Sequence, residues 1–234
     1  MKNRFYGDKK DYIKYGLLDI LSSQYKSIGI NWYLTDDRHG NQNHGNDTRY
    51  LDDDTWRHYN SRIFPLLENR VRNHQRKVRY CREDRVIDIR REFIKQLPDN
   101  TRQIEYPNLR GTWHSDAKNE LAECDLVFFD PDIGIIAQLP VAPIRASEYS
   151  TIVEINDYDW CDWLVIQFLQ PRCRFDQLCA NPITASAQRM NKKVVAFIAS
   201  AIAFLYVTDN IDMMLLRRVF ERWDTKISTQ ILIA

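Results

Sequence analysis

The sequence predicts an α/β fold: a mostly parallel, Rossmann-like sheet with helices on both faces. Three observations carry that expectation. Two short apolar runs, Asp125-Leu126-Val127-Phe128-Phe129 and Trp163-Leu164-Val165-Ile166-Gln167-Phe168, have the continuous hydrophobicity of strands buried on both faces. Segments with helical spacing alternate with such runs, which is the signature of strands covered by crossover helices. The apolar fraction of 44% across 234 residues supplies a substantial core, and this length commonly folds as one unit, so a single α/β domain spanning residues 1 to 234 is expected.

From the N-terminus, Asp11 to Tyr25 places Tyr12, Tyr15, Leu18 and Ile20 or Leu21 on one stripe of a helix, with Asp8 or Asp11 as its cap. Gly29 precedes a strand over Ile30 to Thr35, which runs into the polar loop DDRHGNQNHGND containing Gly40 and Gly45. Tyr50 to Leu67 and much of Asp84 to Gln96 read as helical. Pro107 and Gly111 argue against a long element between Pro98 and Trp113. Asn191 to Thr208 reads as one or two strands, KKVVAFIA and AIAFLYVT with Ser200-Ala201 between them, either a β-hairpin or a buried helix, and Met213 to Trp223 as a terminal helix.

Charge is balanced, with 33 Lys and Arg against 32 Asp and Glu, so the total argues for no polyanionic partner. One segment, Arg70 to Arg91, holds nine Arg or Lys against three acids and reads either as a solvated helix face or as a contact surface for phosphates. The five cysteines show no CxxC spacing and imply free thiols rather than a disulfide framework or a zinc site. The longest apolar run, Val194 to Val207, is too short to span a bilayer, and no signal-peptide pattern opens the chain. A cytoplasmic protein without a membrane partner is expected, its oligomeric state open.

Chemistry concentrates at strand ends, where open parallel sheets bind ligands. Thr35-Asp36-Asp37 closes one strand and Asp130-Pro131-Asp132-Ile133-Gly134 another. Pro131 restricts Asp130 to extended conformations, so its carboxylate is fixed at the strand end. Asp130 and Asp132, two residues apart on a turn, can share a hard cation such as Mg²⁺. Asp11 and Lys14 are spaced to pair on a helix. His39 and His44 in the glycine-bearing loop are weak metal candidates, and no nucleophile elbow, Walker loop or HExxH is present.

The helix motif GDxxDYxKYGLL, the strand WYLT entering a polar loop, and a later strand ending DPD together resemble a family of bacterial and phage-borne proteins whose corresponding turn reads Asp-Pro-Asp-Asn-Gly. More distantly the order is similar to S-adenosylmethionine-dependent amino-methyltransferases acting on nucleic acid. That resemblance implies cofactor-binding roles for Asp8, Asp11, Asp36, Gly40 and Gly45. It implies catalytic roles for Asp130, which would orient the acceptor amine, and for Lys14 beside it, whereas Asp132 is a catalytic candidate through the metal reading. Asp132 stands where those enzymes carry a second proline, and Ile133 where they carry the aromatic that stacks on a flipped base.

A methyltransferase-like enzyme acting on nucleic acid or a nucleotide, with S-adenosylmethionine as cofactor, is therefore the first expectation. The alternatives are a nuclease or nucleotide phosphohydrolase with Mg²⁺ on the Asp130/Asp132 pair, which is also similar to the acid pair of Toprim strands, and a catalytically silent binding or regulatory subunit on the same fold.

Overall fold

The structure is a computed structural model that describes residues 6–33, 47–74, 94–96, 107–131, 133–138, 149–170, 172, 174–223 and 225–233. Helix α1 (Lys9–Leu21) leads into β1 (Ile28–Asn31). A short 3₁₀ turn (Arg49–Asp52), α2 (Asp54–Arg57) and α3 (Ile63–Arg72) follow, then β2 (Ile94–Gln96), α4 (Pro107–Glu120) and β3 (Leu126–Phe129). Strands β4 (Gly134–Ile136) and β5 (Tyr149–Thr151) precede α5 (Ile152–Asn156), β6 (Asp162–Phe168), α6 (Arg174–Cys179) and α7 (Pro182–Arg189). The chain then runs through β7 (Lys193–Ala199), β8 (Ile202–Thr208), α8 (Met213–Trp223) and β9 (Ser228–Ile233).

The main sheet has seven strands in the order β2-β1-β3-β6-β8-β7-β9, and β4 pairs with β5 in a separate two-stranded sheet. The alternating side chains of β3, β6, β7 and β8 feed two cores. Leu126, Phe128, Leu164, Phe197 and Phe204 face a core closed by α1, α3 and α8. Val127, Phe129, Trp163, Val165 and Leu205 face the other, closed by α4, α5, α6 and α7. Helices thus cover both faces, as the apolar strand runs require.

The mostly parallel, Rossmann-like sheet expected from the sequence is overturned. Within the main sheet only the β2–β1, β1–β3 and β3–β6 ladders are parallel, each of three or four residue pairs; β4 and β5 also pair in parallel in their separate sheet. The ladders β6–β8, β8–β7 and β7–β9 are antiparallel and longer, so the sheet is mixed with antiparallel pairing dominant. The cause lies in the connections. Ser200 and Ala201 join β7 to β8 in two residues, with Ser200 at φ 56, and a link that short can only reverse the chain. Apolar runs mark burial on both faces, which a helix-covered antiparallel hairpin satisfies as well as a parallel strand does.

Within the parallel half, β3 lies between β1 and β6 with all three carboxyl ends on one edge. Other boundaries shift. Strand β1 ends at Asn31 rather than Thr35, and Tyr33 follows at φ 46. Tyr50 to Leu67 is broken into a 3₁₀ turn and two helices, Ile94–Gln96 is a strand rather than helix, and Pro107–Glu120 is a helix where irregular chain is expected. Pro107 opens that helix, where its missing N–H is no loss, and a Cβ on Gly111 would meet nothing, so neither residue breaks it. Cys124 and Cys161 are buried free thiols, and Cys179 is an exposed one. Among the described residues, no helix is long and apolar enough to cross a membrane.

Gly16 explains part of the GDxxDYxKYGLL motif. A Cβ built there would lie 2.1 Å from Cζ2 of Trp223, so the glycine lets α1 approach α8 closely. Gly16→Ala gains about 1 kcal/mol in helix propensity. It also forces the fully buried Trp223 aside, at a typical overpacking cost of about 1–3 kcal/mol. We expect the overpacking to win, with urea titration showing a net loss of stability; a stabilised variant would mean that Trp223 repacks freely.

Candidate functional site

The first turn of α1 is built by its own acids. Asp8 is the N-cap and accepts from the Asp11 N–H at 3.0 Å, while Asp11 reaches back to accept from the Gly7 N–H at 2.9 Å. Gly7 sits at φ +81, with a Cβ position 2.7 Å from Val71, which reserves the place for glycine. The Tyr50 hydroxyl donates to the Gly7 carbonyl at 3.1 Å, and the Lys9 N–H donates to the Asp47 carbonyl at 2.9 Å, so the segment after residue 46 is laced to this turn.

One helical turn on, Lys14 is buried to 4% exposure, and its ammonium donates at 2.8 Å both to Asp11 and to Asp130. Its position also lies 5.4 Å from the Trp32 ring centroid and 5.9 Å from that of Phe128. The Asp130 N–H donates to the Asn31 carbonyl at 2.9 Å, holding the end of β3 beside the end of β1. Burial alone would lower the Lys14 pKa, but the carboxylates of Asp11 and Asp130 outweigh it and raise it. Burial pushes the Asp130 carboxyl up to about 6 against the pull of Lys14. Burial, reinforced by the Asp11 charge, pushes Asp8 up to about 7.

Asp8, Asp11, Lys14 and Asp130 are thus brought together at the carboxyl edge of the parallel strands. Asp36, Gly40, Gly45 and Asp132 lie outside the described residues. The metal expectation asks Asp130 to share a cation with Asp132, yet Asp130 already accepts from an ammonium; among the described residues no group of three or more His, Cys, Asp or Glu could hold a metal ion. Of the Arg-rich segment, Arg72 is drawn into ion pairs with Asp52 at 3.0 Å and Glu68 at 3.1 Å, and positions 75–91 lie outside the described residues.

A cleft of about 440 Å³ opens beside this cluster, between the first turn of α1, the chain at Asp47 and Arg49, and the β7–β8 turn. Sequence reasoning missed its charged wall. Asp47 pairs with Arg49 at 3.0 Å and with Lys9 at 3.2 Å, and the bond from Arg49 holds its carboxyl down at about 2. Lys10 lies 4.4 Å from the Phe168 ring centroid and forms no ion pair among the described residues. Isolated Lys and Asp residues in a polar N-terminal stretch carry no pattern that distinguishes a cleft wall from a solvated surface.

The second core holds a further polar cluster. Arg110 donates to Glu154 at 2.6 Å and 2.9 Å and to the Tyr149 carbonyl at 2.7 Å. Burial works against the Glu154 carboxylate, but Arg110 outweighs it and keeps its pKa below the usual range. Glu154 also closes the capping box of α5, so this cluster binds α4 to β5 and α5.

No protein-family model matches the chain, and neither a curated protein nor a solved structure matches it. The site is therefore read from its own geometry.

Two outcomes follow from the charge cluster. Lys14→Met removes the ammonium that two buried carboxylates share and should cost about 3–5 kcal/mol in chemical denaturation, with Asp130→Asn in the same chain restoring part of it. Asp8 and Asp130 have folded-state pKa values above their unfolded values, so the folded state binds protons that the unfolded state has released. Stability should accordingly fall as pH rises from about 4 to about 7, the reverse of ordinary acid denaturation. Asp8→Asn preserves the cap, should flatten that slope and should raise the melting temperature at pH 8; an unchanged pH profile would show that Asp8 carries no raised pKa.

Proposed function

We propose that the carboxyl-edge cleft binds S-adenosylmethionine and that the protein is a methyltransferase acting on an amino group of nucleic acid or a nucleotide. The observation that carries this reading is the pair of opposite charges at the cleft wall. Asp8 and Lys10 both line it, and neither is ion-paired among the described residues. A ligand with an amino-acid end supplies the complement of both, its ammonium for Asp8 and its carboxylate for Lys10. Ile13, Ala199, Ala201 and Ile202 add an apolar wall suited to a purine face, and the volume falls within the common range for small-molecule sites, about 300–1,000 Å³.

Asp8 supports the reading for a second reason. Asn would cap α1 about as well without burying a charge, so a carboxyl pushed to about 7 here is a stability cost that binding would justify. The bound cofactor would supply an electrophilic methyl group on a sulfonium. Lys14 is a positioning residue: it holds Asp130, the acid that the family resemblance assigns to the acceptor amine, against the first turn of α1.

Calorimetric titration with S-adenosylmethionine tests the proposal. An ammonium binds the ionised form of Asp8, so affinity should be about tenfold tighter at pH 8 than at pH 6. Asp8→Asn should abolish that dependence and Lys10→Gln should weaken binding at both pH values. Transfer of labelled methyl to nucleic acid would complete the assignment, whereas binding without transfer would leave a binding subunit. No binding to the folded wild-type chain at either pH would sink the proposal.

A further inference from the structure

A second cleft, of about 730 Å³, lies at the other end of α1, between that helix, the α2–α3 connection and α8. Its charges are arranged unequally. Asp19 accepts from Arg62, from Arg222 at 3.1 Å and from the Asn60 amide at 3.0 Å, so one carboxylate anchors two guanidiniums. Asp19 is largely covered, at 15% side-chain exposure, while Arg62 and Arg222 are exposed at 34% and 45%. Glu221 also lines the cleft but pairs with Arg217 at 2.7 Å. Arg218 donates to the Ser23 hydroxyl at 2.8 Å and has no carboxylate partner among the described residues.

We infer that this cleft binds a phosphate-bearing ligand. Three guanidiniums line it, and the two carboxylates beside them are already engaged, so the wall keeps a cationic excess. Guanidinium forks match phosphate oxygens in pairs, and the Ser61 hydroxyl adds a neutral donor at the same wall. Asp19 pre-organises Arg62 and Arg222, which reduces the entropy lost when an anion is gripped. The two clefts open toward opposite ends of α1 and have no lining residue in common, the nearest on the helix being Ile13 and Asp19, about 9 Å apart along its axis. The inference rests on charge and shape alone and stands apart from methyl transfer.

The test uses the full chain with two probes, pyrophosphate by calorimetry and a labelled single-stranded oligonucleotide by fluorescence anisotropy. Arg218→Gln removes a cation that holds no carboxylate, so its melting temperature should match wild type. Its affinity for the bound probe should fall about tenfold. For the oligonucleotide, the logarithmic salt slope should also shrink by about one. Arg218→Lys keeps the charge without the fork and should fall between, while Arg189→Gln, on the exposed side of α7, should behave as wild type. Binding of pyrophosphate alone assigns a terminal phosphate, and binding of the oligonucleotide assigns backbone diesters. The inference is overturned if neither probe binds, if Arg218→Gln binds as tightly as wild type, or if a polyglutamate peptide displaces either probe equally well.

Discussion

The ammonium of Lys14 is the interaction on which the functional end of the molecule depends. Three buried carboxyls, those of Asp8, Asp11 and Asp130, converge where α1 begins and β3 ends, and the Lys14 ammonium pairs with two of them. Without it the carboxyls would repel one another in a medium that solvates charge poorly. With it, the helix start and the strand end are fixed together, and the β1 carbonyl at Asn31 receives the Asp130 N–H. The arrangement is costly as pure architecture, because an apolar contact would join a helix to a strand with no desolvation penalty.

The two ends of α1 treat charge differently. At its start, burial raises the pKa of Asp8, and among the described residues Asp8 and Lys10 at the cleft wall form no ion pair. At its end, a single covered acid orders exposed guanidiniums around it. Between them the helix is fastened by shape rather than charge: Tyr12, Tyr15, Leu18 and Leu21 fill one core, and Gly16 admits Trp223. The motif GDxxDYxKYGLL therefore mixes three functions. Gly7, Asp8, Asp11 and Lys14 build the site, the tyrosines and leucines build the core, and Gly16 sets the distance to α8.

That division explains what could be read in advance. The helical stripe, the strands at Leu126 and Trp163, the hairpin around Ser200-Ala201 and the final helix were legible because periodicity and apolar runs report burial directly. Strand direction was not legible from those runs, since burial on both faces is common to parallel strands and to helix-covered hairpins. The pairing of Asp11 with Lys14 followed from their spacing, but the third partner, Asp130, is 116 positions away and only the sheet order brings it near. The acids at Asp8 and Asp130 were picked out by motif. Lys10, Asp47 and Arg49 gain meaning only from the cleft they share, and no local pattern marks them.

The contrast between the β7–β8 turn and the Lys14–Asp130 pair also grades the molecule by ease of opening. The hairpin closes over two residues and is sealed by seven residue pairs, so little chain entropy opposes it. The ion pair closes over 116 positions and is supported on the β1 side by strands of only three or four residues. Local unfolding that frees α1, the edge strand β2 and its neighbour β1 should therefore cost less than dissolving the antiparallel half, with amide-exchange protection expected to follow the same gradient. The charged cleft sits on the softer side of that divide, where a ligand bridging Asp8 and Lys10 would restrain the helix start that the fold by itself holds least tightly.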